Sequence, residues 1–304
     1  MKYSKAVVWL SALIAALALV AAGIGLFWQN GGSSFSFATL HGLTVQIYGQ
    51  GLYSYDTPLV ALGARAGDAV TLFLGIPMLV MSLLLYQRGS FKGGMGLAGV
   101  LAYFLYVYGS MAFGAAYNPL FLIYVALFAA SLFGLVLTHA SFEMQALPGH
   151  FSMGLPRRGI SLFLFVSGGI LLFVWLALSI VPALLQGKVP LEVASYTTFV
   201  TGVVDLGVVA PGLIVAGALL LRRAAFGYLL ASTMLVFTAL LGFNLIAAGI
   251  TQLLSAMMSV GQAMGFTVPF AILTLIALWL TLVLFRASSD AASGQSTMVR
   301  AAHV

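Results

Sequence analysis

The stretch AGDAVTLFLGIPMLVMSLLLYQR, residues 66–88, is an apolar run that ends at a single arginine. A helix needs roughly 20 predominantly apolar residues to cross the hydrocarbon core of a bilayer. Because a backbone in lipid must satisfy its own hydrogen bonds, a run of this length should be helical. Seven other runs share its length and character, which predicts an all-α membrane protein with eight transmembrane helices. The predicted spans are 6–28, 66–86, 95–115, 118–138, 160–185, 200–221, 226–249 and 266–286.

The composition supports the same class. Hydrophobic residues make up 62% of the 304 residues, and charged residues make up only 6%. A soluble domain carries roughly 25% charged residues. So few charged residues cannot cover a surface that faces water, so the predicted partner of the protein surface is a lipid bilayer. The formal net charge is +6, but the basic residues are scattered between apolar runs, which argues against nucleic acid as a partner. The chain has no cysteine, which excludes disulfides, iron–sulfur clusters and thiol catalysis.

The basic residues predict the orientation in the membrane. If the spans alternate in direction, all of the 12 Lys and Arg residues except Arg65 and Lys188 fall on the side of the N-terminus. The residues on that side are Lys2, Lys5, Arg88, Lys92, Arg157, Arg158, Arg222, Arg223, Arg286 and Arg300. Cytoplasmic loops carry an excess of Lys and Arg, so both termini are predicted to be cytoplasmic. The first apolar run is longer than the core of a signal peptide and is therefore predicted to remain as a span.

Two segments outside the spans have a predicted character of their own. In the first outer loop, apolar residues alternate on both sides of His41-Gly42, which predicts a small extracytoplasmic β-hairpin with a two-residue turn. The alternating residues are Phe35, Phe37, Leu43, Val45 and Ile47. The tail 287–304 consists mainly of small and polar residues and is predicted to be a disordered cytoplasmic segment.

The chain shows signs of an internal duplication. SYDT at 54–57 resembles SYTT at 195–198, and each is followed by an aspartate (Asp68, Asp205) and then by a proline and an arginine. Residues 1–158 and 159–286 would then be two four-helix halves in a 4+4 parallel repeat. The aspartate-to-proline distances differ, so this alignment needs a gap. The alternative to a duplication is chance similarity, because any two apolar transmembrane segments resemble each other in composition and spacing.

Asp68 and Asp205 are the first candidates for a polar or ion site. Counted from the arginines at the cytoplasmic ends of their spans, they lie about 30 Å and about 25 Å along the helix, near the outer boundary of the hydrocarbon. The structural interpretation is helix capping, with Asp68 at the start of its span. The functional interpretation is that they bind a cation, a proton or an amine at an outward-facing vestibule, because ionisable residues in spans are costly. Asp56 and Tyr55 in the outer loop belong to the same candidate site.

A stripe of tyrosines is the second candidate. Tyr103, Tyr106 and Tyr117 recur at helical spacing in and after the third span, and Asn118-Pro119 is predicted to form the turn that follows. The stripe either lines a pore or packs against neighbouring helices, and packing is the commoner use of such stripes. Asn244 in the seventh span is either a pore residue or an interhelical hydrogen-bonding group.

No catalytic or cofactor motif is present. The four histidines are not at metal-ligand spacing, and the chain contains neither HExxH nor GxSxG nor a phosphate-binding lysine loop. The sequence therefore predicts no cofactor and favours a protein that is not an enzyme.

Several segments resemble a family of uncharacterised multi-pass bacterial membrane proteins. These are GLYSYDTPLVALG, GDAVTLFLGIPMLVMSLLLYQRGS, AYFLYVYGSMAFGAAYNPLFLIYVALF and SYTTFVTGVVDLG. The resemblance covers most of the chain and implies a bacterial plasma-membrane location. It implies no activity and no functional residues.

Three functions remain open from the sequence. The first is a permease or a transporter of a small solute or ion, supported by the spans, the repeat, the aspartates and the helix prolines. The second is a non-catalytic accessory subunit, sensor or assembly factor, whose partners would be a second copy of the chain or other members of a membrane complex. The third is an interfacial membrane enzyme.

Overall fold

A computed structural model describes Lys2 and residues 4–290 of the chain. Within that part, eight helices are long and apolar enough to cross a membrane, and the chain is a multi-pass membrane protein as predicted. The helices are α1 (Lys5–Phe27), α2 (Pro58–Gln87), α3 (Phe91–Gly114), α4 (Phe121–Ala140), α5 (Arg157–Leu185), α6 (Val200–Leu221), α7 (Ala225–Leu254) and α8 (Val260–Arg286). Short 3₁₀ turns at Leu147–His150 and Leu191–Val193 lie in two of the connections.

The largest boundary difference concerns α2, which begins at Pro58 rather than near residue 66. Pro58 occupies the first helical position, where a missing N–H costs nothing because that group has no partner inside the helix. Asp68 consequently lies in the interior of α2 and does not cap it, so the capping interpretation of Asp68 is wrong.

Three spans contain a π-helical segment that ends two residues before a proline. The segments are Thr71–Gly75 in α2, Phe173–Ile180 in α5 and Asp205–Val209 in α6. Proline lacks a donor and its ring clashes with the carbonyl four residues earlier. The helix widens instead, and the amide of Ala210 bonds to the carbonyl of Asp205, five residues before it.

The π segments give spans two and six a common register. Thr71 and Asp205 each begin a π segment and each precede a proline, Pro77 or Pro211, by the same number of residues. Aligned in this way the two spans need no gap, and the counterpart of Asp205 is Thr71 rather than Asp68. The division into halves 1–158 and 159–286 remains a prediction.

The centre of the bundle is formed by α3 and α7, the two most buried spans. Helix α7 packs against α2, α3, α6 and α8, and α3 packs against α2, α4 and α7. Helix α1 packs against α2 and α4, while α5 packs mainly against α6 and is largely exposed to the surroundings of the bundle. A site between α3 and α7 therefore lies inside the protein.

The connection between α1 and α2 contains the predicted hairpin, and we call this end of the bundle the hairpin side and the opposite end the terminal side. Strands β1 (Phe35–Ala38) and β2 (Thr44–Ile47) pair antiparallel, with Phe35 opposite Ile47. The amide of Thr39 bonds to the carbonyl of Leu43 at 2.7 Å, so the turn holds three residues, one more than predicted. Gly42 adopts a φ of 76°, which suits glycine in the left-handed position of such a turn.

The beginning of the predicted disordered tail contacts the bundle. The amide of Ser152 bonds to the carbonyl of Ala287 at 2.8 Å, and the Asp290 carboxylate accepts the amide of Phe91 at 2.7 Å at the start of α3. An acidic group at this position satisfies free amides and suits the positive end of the helix. The rest of the tail, 291–304, lies outside the described residues.

Candidate functional site

Two adjoining hollows occupy the hairpin side. The inner cavity, about 310 Å³, lies between α2, α3, α6 and α7 below the loop that precedes α6. The surface cleft, about 460 Å³, lies between the hairpin, the end of α3 and the same loop. Five residues line both hollows: Gly114, Ala115, Tyr196, Thr198 and Val200.

Polar groups line the inner cavity at several depths. Tyr106, Ser110, Asn244 and Gln252 come from the central helices α3 and α7, and Glu192 lies exposed at the mouth. Asn244 is ten residues before the end of α7, roughly 15 Å along the helix. The cavity therefore reaches well into the bundle from the hairpin side.

Some of these polar atoms have no partner. Gln252 is 5% exposed, and its Oε1 has no hydrogen-bond partner among the described residues. The Ser110 hydroxyl is also buried and without a partner in the described part. Unpaired buried polar atoms are costly and call for an explanation such as a bound molecule or water. Gln252 could not be identified as a site residue from the sequence, because a glutamine near a span end usually faces the headgroups.

Asp205 does not line this cavity itself but bonds to Tyr106, which does. Its Oδ1 accepts the hydroxyl of Tyr106 at 3.0 Å, and its Oδ2 accepts the indole N–H of Trp175 at 2.8 Å. Asp205 is 5% exposed, while Tyr106 lines the cavity. The sequence identified Asp205 and Tyr106 but missed Trp175, whose N–H inside an apolar span needs a partner and was the available signal.

Asp68 belongs to a different site. Its Oδ2 accepts the hydroxyl of Tyr53 at 2.7 Å, and this pair lies against Gly25 of α1. Asp68 and Asp205 share no hydrogen-bond partner, because one faces α1 and the segment before α2, and the other faces α3 and α5. The two aspartates therefore do not form one vestibule.

Asp56 is buried rather than solvated, at 1% exposure, although it lies outside the spans. Its Oδ1 accepts the amide of Ala116 and the hydroxyl of Tyr196, each at 2.8 Å, and its Oδ2 has no partner in the described part. The SYDT and SYTT motifs thus meet through Asp56 and Tyr196. Tyr55 is 67% exposed and lines the surface cleft.

Burial raises the pKa of Asp56 from its ordinary value of 3.8 to about 6, although the bonds from Ala116 and Tyr196 oppose the shift. A carboxyl with a raised pKa in the folded state stabilises the fold below its ordinary pKa, and this contribution is lost as pH rises through the raised value. We expect the wild-type protein to lose up to about 3 kcal/mol of stability between pH 4 and pH 7 from this group. Melting in detergent should show a flatter pH profile for Asp56→Asn. Parallel profiles for the two proteins would contradict the expectation.

The three tyrosines of the predicted stripe lie in different surroundings. The Tyr103 hydroxyl is buried and pairs with Thr71 Oγ1 at 3.2 Å, so it joins α3 to the π segment of α2. Tyr106 alone among these tyrosines faces the inner cavity. Tyr117 is 79% exposed beyond the end of α3, and Asn118 accepts the amide of Leu120 at 3.0 Å in the turn before α4. Of the predicted stripe residues and Asn244, only Tyr106 and Asn244 line the inner cavity, and the pore interpretation remains a prediction.

Among residues 4–290 no group of three His, Asp or Glu side chains is placed to hold a metal ion. A scan against protein-family models found no match for the chain. A search of curated proteins and a search of solved structures likewise found none.

Proposed function

We propose that the chain is a permease-like protein that takes up a small, uncharged polar solute from the hairpin side. The observation that carries this proposal is the inner cavity, which reaches into the bundle and is lined by Ser110, Asn244 and Gln252. The buried oxygens of Ser110 and Gln252 have no hydrogen-bond partner in the described part of the chain. Small-molecule sites are concave, mostly apolar and equipped with a few polar groups that orient the ligand. A volume of about 310 Å³ suits a small solute.

The charge of the lining supports an uncharged solute. Glu192 at the mouth is the one charged side chain that lines the cavity among the described residues, and it bonds to Ser179. A charged solute held deep in the bundle would need a compensating charge close by. Hydroxyl and amide groups instead match polyols and small amides, which offer both donors and acceptors.

The π segments of α2 and α6 favour a functional site in this part of the bundle. They replace the regular α-helical bonding in two spans that line the cavity. Such segments inside α-helices are frequent at functional sites. The basic residues of the terminal side favour a cytoplasmic location for that side and an external location for the hairpin side.

Water access to the cavity gives a direct test, and the chain offers a background free of cysteine. We expect Ser110→Cys and Asn244→Cys to react with a membrane-impermeant thiol reagent added to the hairpin side of cell membranes. Val208→Cys on α6 is the control, because Val208 is 62% exposed on the outside of the bundle. A thiol in hydrocarbon does not ionise, so the Val208→Cys thiol should react at least about tenfold more slowly than the two cavity thiols. Equal rates for all three variants would contradict an open cavity.

Transport itself is measured by uptake into proteoliposomes of labelled erythritol, myo-inositol and N-acetylglycinamide. Asn244→Leu keeps the side-chain shape and removes two hydrogen-bonding atoms, so we expect uptake to fall by about tenfold. Ile250→Leu on the exposed face of the same helix should leave uptake unchanged. No uptake of any of these solutes by the wild type, or equal uptake by Asn244→Leu, would count against the proposal.

The hairpin favours a second candidate, an accessory or sensor role. All four residues of β1 are exposed, and Leu40 in the turn is 87% exposed. Exposed apolar groups of this kind mark surfaces that bind a partner or a membrane. If this role holds, purification in mild detergent should recover a partner with the wild type and lose it with Phe35→Ser/Phe37→Ser.

A further inference from the structure

The hydrogen bonds around Asp205 leave the carboxylate without a compensating charge. Its donors are the Tyr106 hydroxyl from α3 and the Trp175 indole from α5, and both are neutral. Asp205 lies inside the bundle at 5% exposure. Carboxylates in such surroundings are expensive and are commonly used to carry protons.

The other titratable groups on the packed elements lie elsewhere. On α3, Tyr103 is paired with Thr71, and Tyr108 is stacked against Tyr124 with ring centroids 6.2 Å apart. On α5 and α7, Arg157 and Tyr228 bond to each other on the terminal side. The remaining charged groups on or next to these elements are Lys92 at the start of α3, Arg158 at the start of α5, Lys188 and Glu192 in the connection between α5 and α6, and Arg222 and Arg223 at the end of α6. Tyr106 is therefore the one titratable group in the described part that bonds to Asp205.

The two oxygens of Asp205 differ in what they can do with a proton. An indole N–H is a donor only, so Oδ2 cannot donate a proton to Trp175. A tyrosine hydroxyl both donates and accepts, so a proton on Oδ1 can be donated to the Tyr106 oxygen. The direction of the Asp205–Tyr106 bond then reverses, and the Tyr106 O–H needs a new acceptor.

We propose that Asp205 is a proton-binding site coupled to the inner cavity through Tyr106. With Asp205 ionised, the Tyr106 O–H is held by the carboxylate. With Asp205 protonated, the Tyr106 O–H turns into the cavity that Tyr106 lines and donates to an acceptor oxygen of the solute. Proton and solute binding then favour each other, and by linkage each raises the affinity for the other equally. This inference rests on the proposed function of the cavity.

The counterpart of Asp205 in α2 argues for one proton rather than two. Thr71 pairs with Tyr103 as Asp205 pairs with Tyr106, but a threonine hydroxyl does not ionise in this range. The Thr71–Tyr103 pair therefore holds α3 against α2 without taking up a proton. It provides a matched control for the Asp205–Tyr106 pair.

The test compares wild type, Asp205→Asn, Tyr106→Phe and Tyr103→Phe in proteoliposomes with labelled erythritol, myo-inositol and N-acetylglycinamide. An acidic exterior should stimulate wild-type uptake by about fivefold or more, as expected of a coupling free energy above 1 kcal/mol. Asparagine donates its amide N–H to the Tyr106 oxygen and imitates the protonated state, so Asp205→Asn should exchange solute without a response to pH. Tyr106→Phe should also lose the response, and Tyr103→Phe should keep it.

A second readout needs no solute. Infrared difference spectra between low and high pH should contain a carboxylic acid C=O band that Asp205→Asn removes, together with a tyrosine C–O shift that Tyr106→Phe removes. Solute exchange with an unchanged pH response in Asp205→Asn overturns the coupling and leaves the permease proposal standing. Absence of the Asp205 band overturns the proton site whether or not any solute is transported.

Discussion

Gly99→Leu is expected to separate the two central helices and to change the shape of the inner cavity between them. A side-chain carbon at Gly99 would fall on the Val236 side chain of α7 and lie 3.2 Å from the carbonyl oxygen of Thr233. The overlap includes Val236 Cβ, whose position is fixed by the backbone of α7, so α3 must move away from α7 to relieve it. Overpacking typically costs about 1–3 kcal/mol. Tyr106 on α3 and Asn244 on α7 would no longer face the same cavity.

Melting in detergent and labelling of Ser110→Cys measure the two consequences together. Gly169→Leu is the matched control, because a side chain there meets open space on the exposed face of α5. We expect a lower Tm and altered labelling for Gly99→Leu and neither change for Gly169→Leu. Adding Val236→Gly should restore part of the stability. An unchanged Tm for Gly99→Leu would show that the spacing of α3 and α7 does not depend on this glycine.

The spans could be predicted because the physical constraint acts on each segment alone. Hydrocarbon thickness fixes the length of an apolar helix, and no knowledge of neighbours is needed. The start of α2 was missed because Gly63, Arg65 and Gly67 resemble a loop when taken alone. In the fold, Arg65 bonds to Tyr48 of the preceding connection at 3.2 Å, and Gly67 lies against Asn244. Contacts with other elements allow the helix to continue there.

The site could be predicted only in part because its bonds join residues far apart in the chain. Asp205 was identifiable as an acid in an apolar segment, but its partners Tyr106 and Trp175 lie 99 and 30 positions away. Asp56 and Tyr196 are 140 positions apart, so the burial of Asp56 could not be inferred from a polar loop sequence. The similarity of SYDT and SYTT was visible, but nothing in the sequence indicated that the two motifs bond to each other.

The backbone of the two spans argues against Asp68 as the counterpart of Asp205. Aligning on the acids produced a gap, whereas aligning on the prolines places Thr71 opposite Asp205. The prolines are the better landmark because, in both α2 and α6, the proline lies at the same distance after a π segment of five residues. An acid in a helix can instead take different roles according to the neighbour it meets.

Gly25→Leu is expected to have the second large effect, at the contact between α1 and α2. A side-chain carbon at Gly25 would overlap Asp68 Oδ2 and would lie 2.6 Å from the Tyr53 hydroxyl. Asp68 and Tyr53 are both buried and bonded to each other at 2.7 Å, so neither can turn into water. The variant must break that bond or displace α1, and each unpaired buried group costs about 1–3 kcal/mol. The Tm in detergent should fall by several degrees.

The same helix supplies the control, because a side chain at Gly23 meets open space. Gly23→Leu should leave the Tm close to that of the wild type. A double-mutant cycle of Gly25→Ala with Asp68→Ala separates steric overlap from helix propensity. If the carboxylate is the obstacle, Gly25→Ala should destabilise the wild type but not the Asp68→Ala protein, in which alanine is the better helix former. Equal destabilisation in both backgrounds would place the obstacle elsewhere on α2 or on the segment before it.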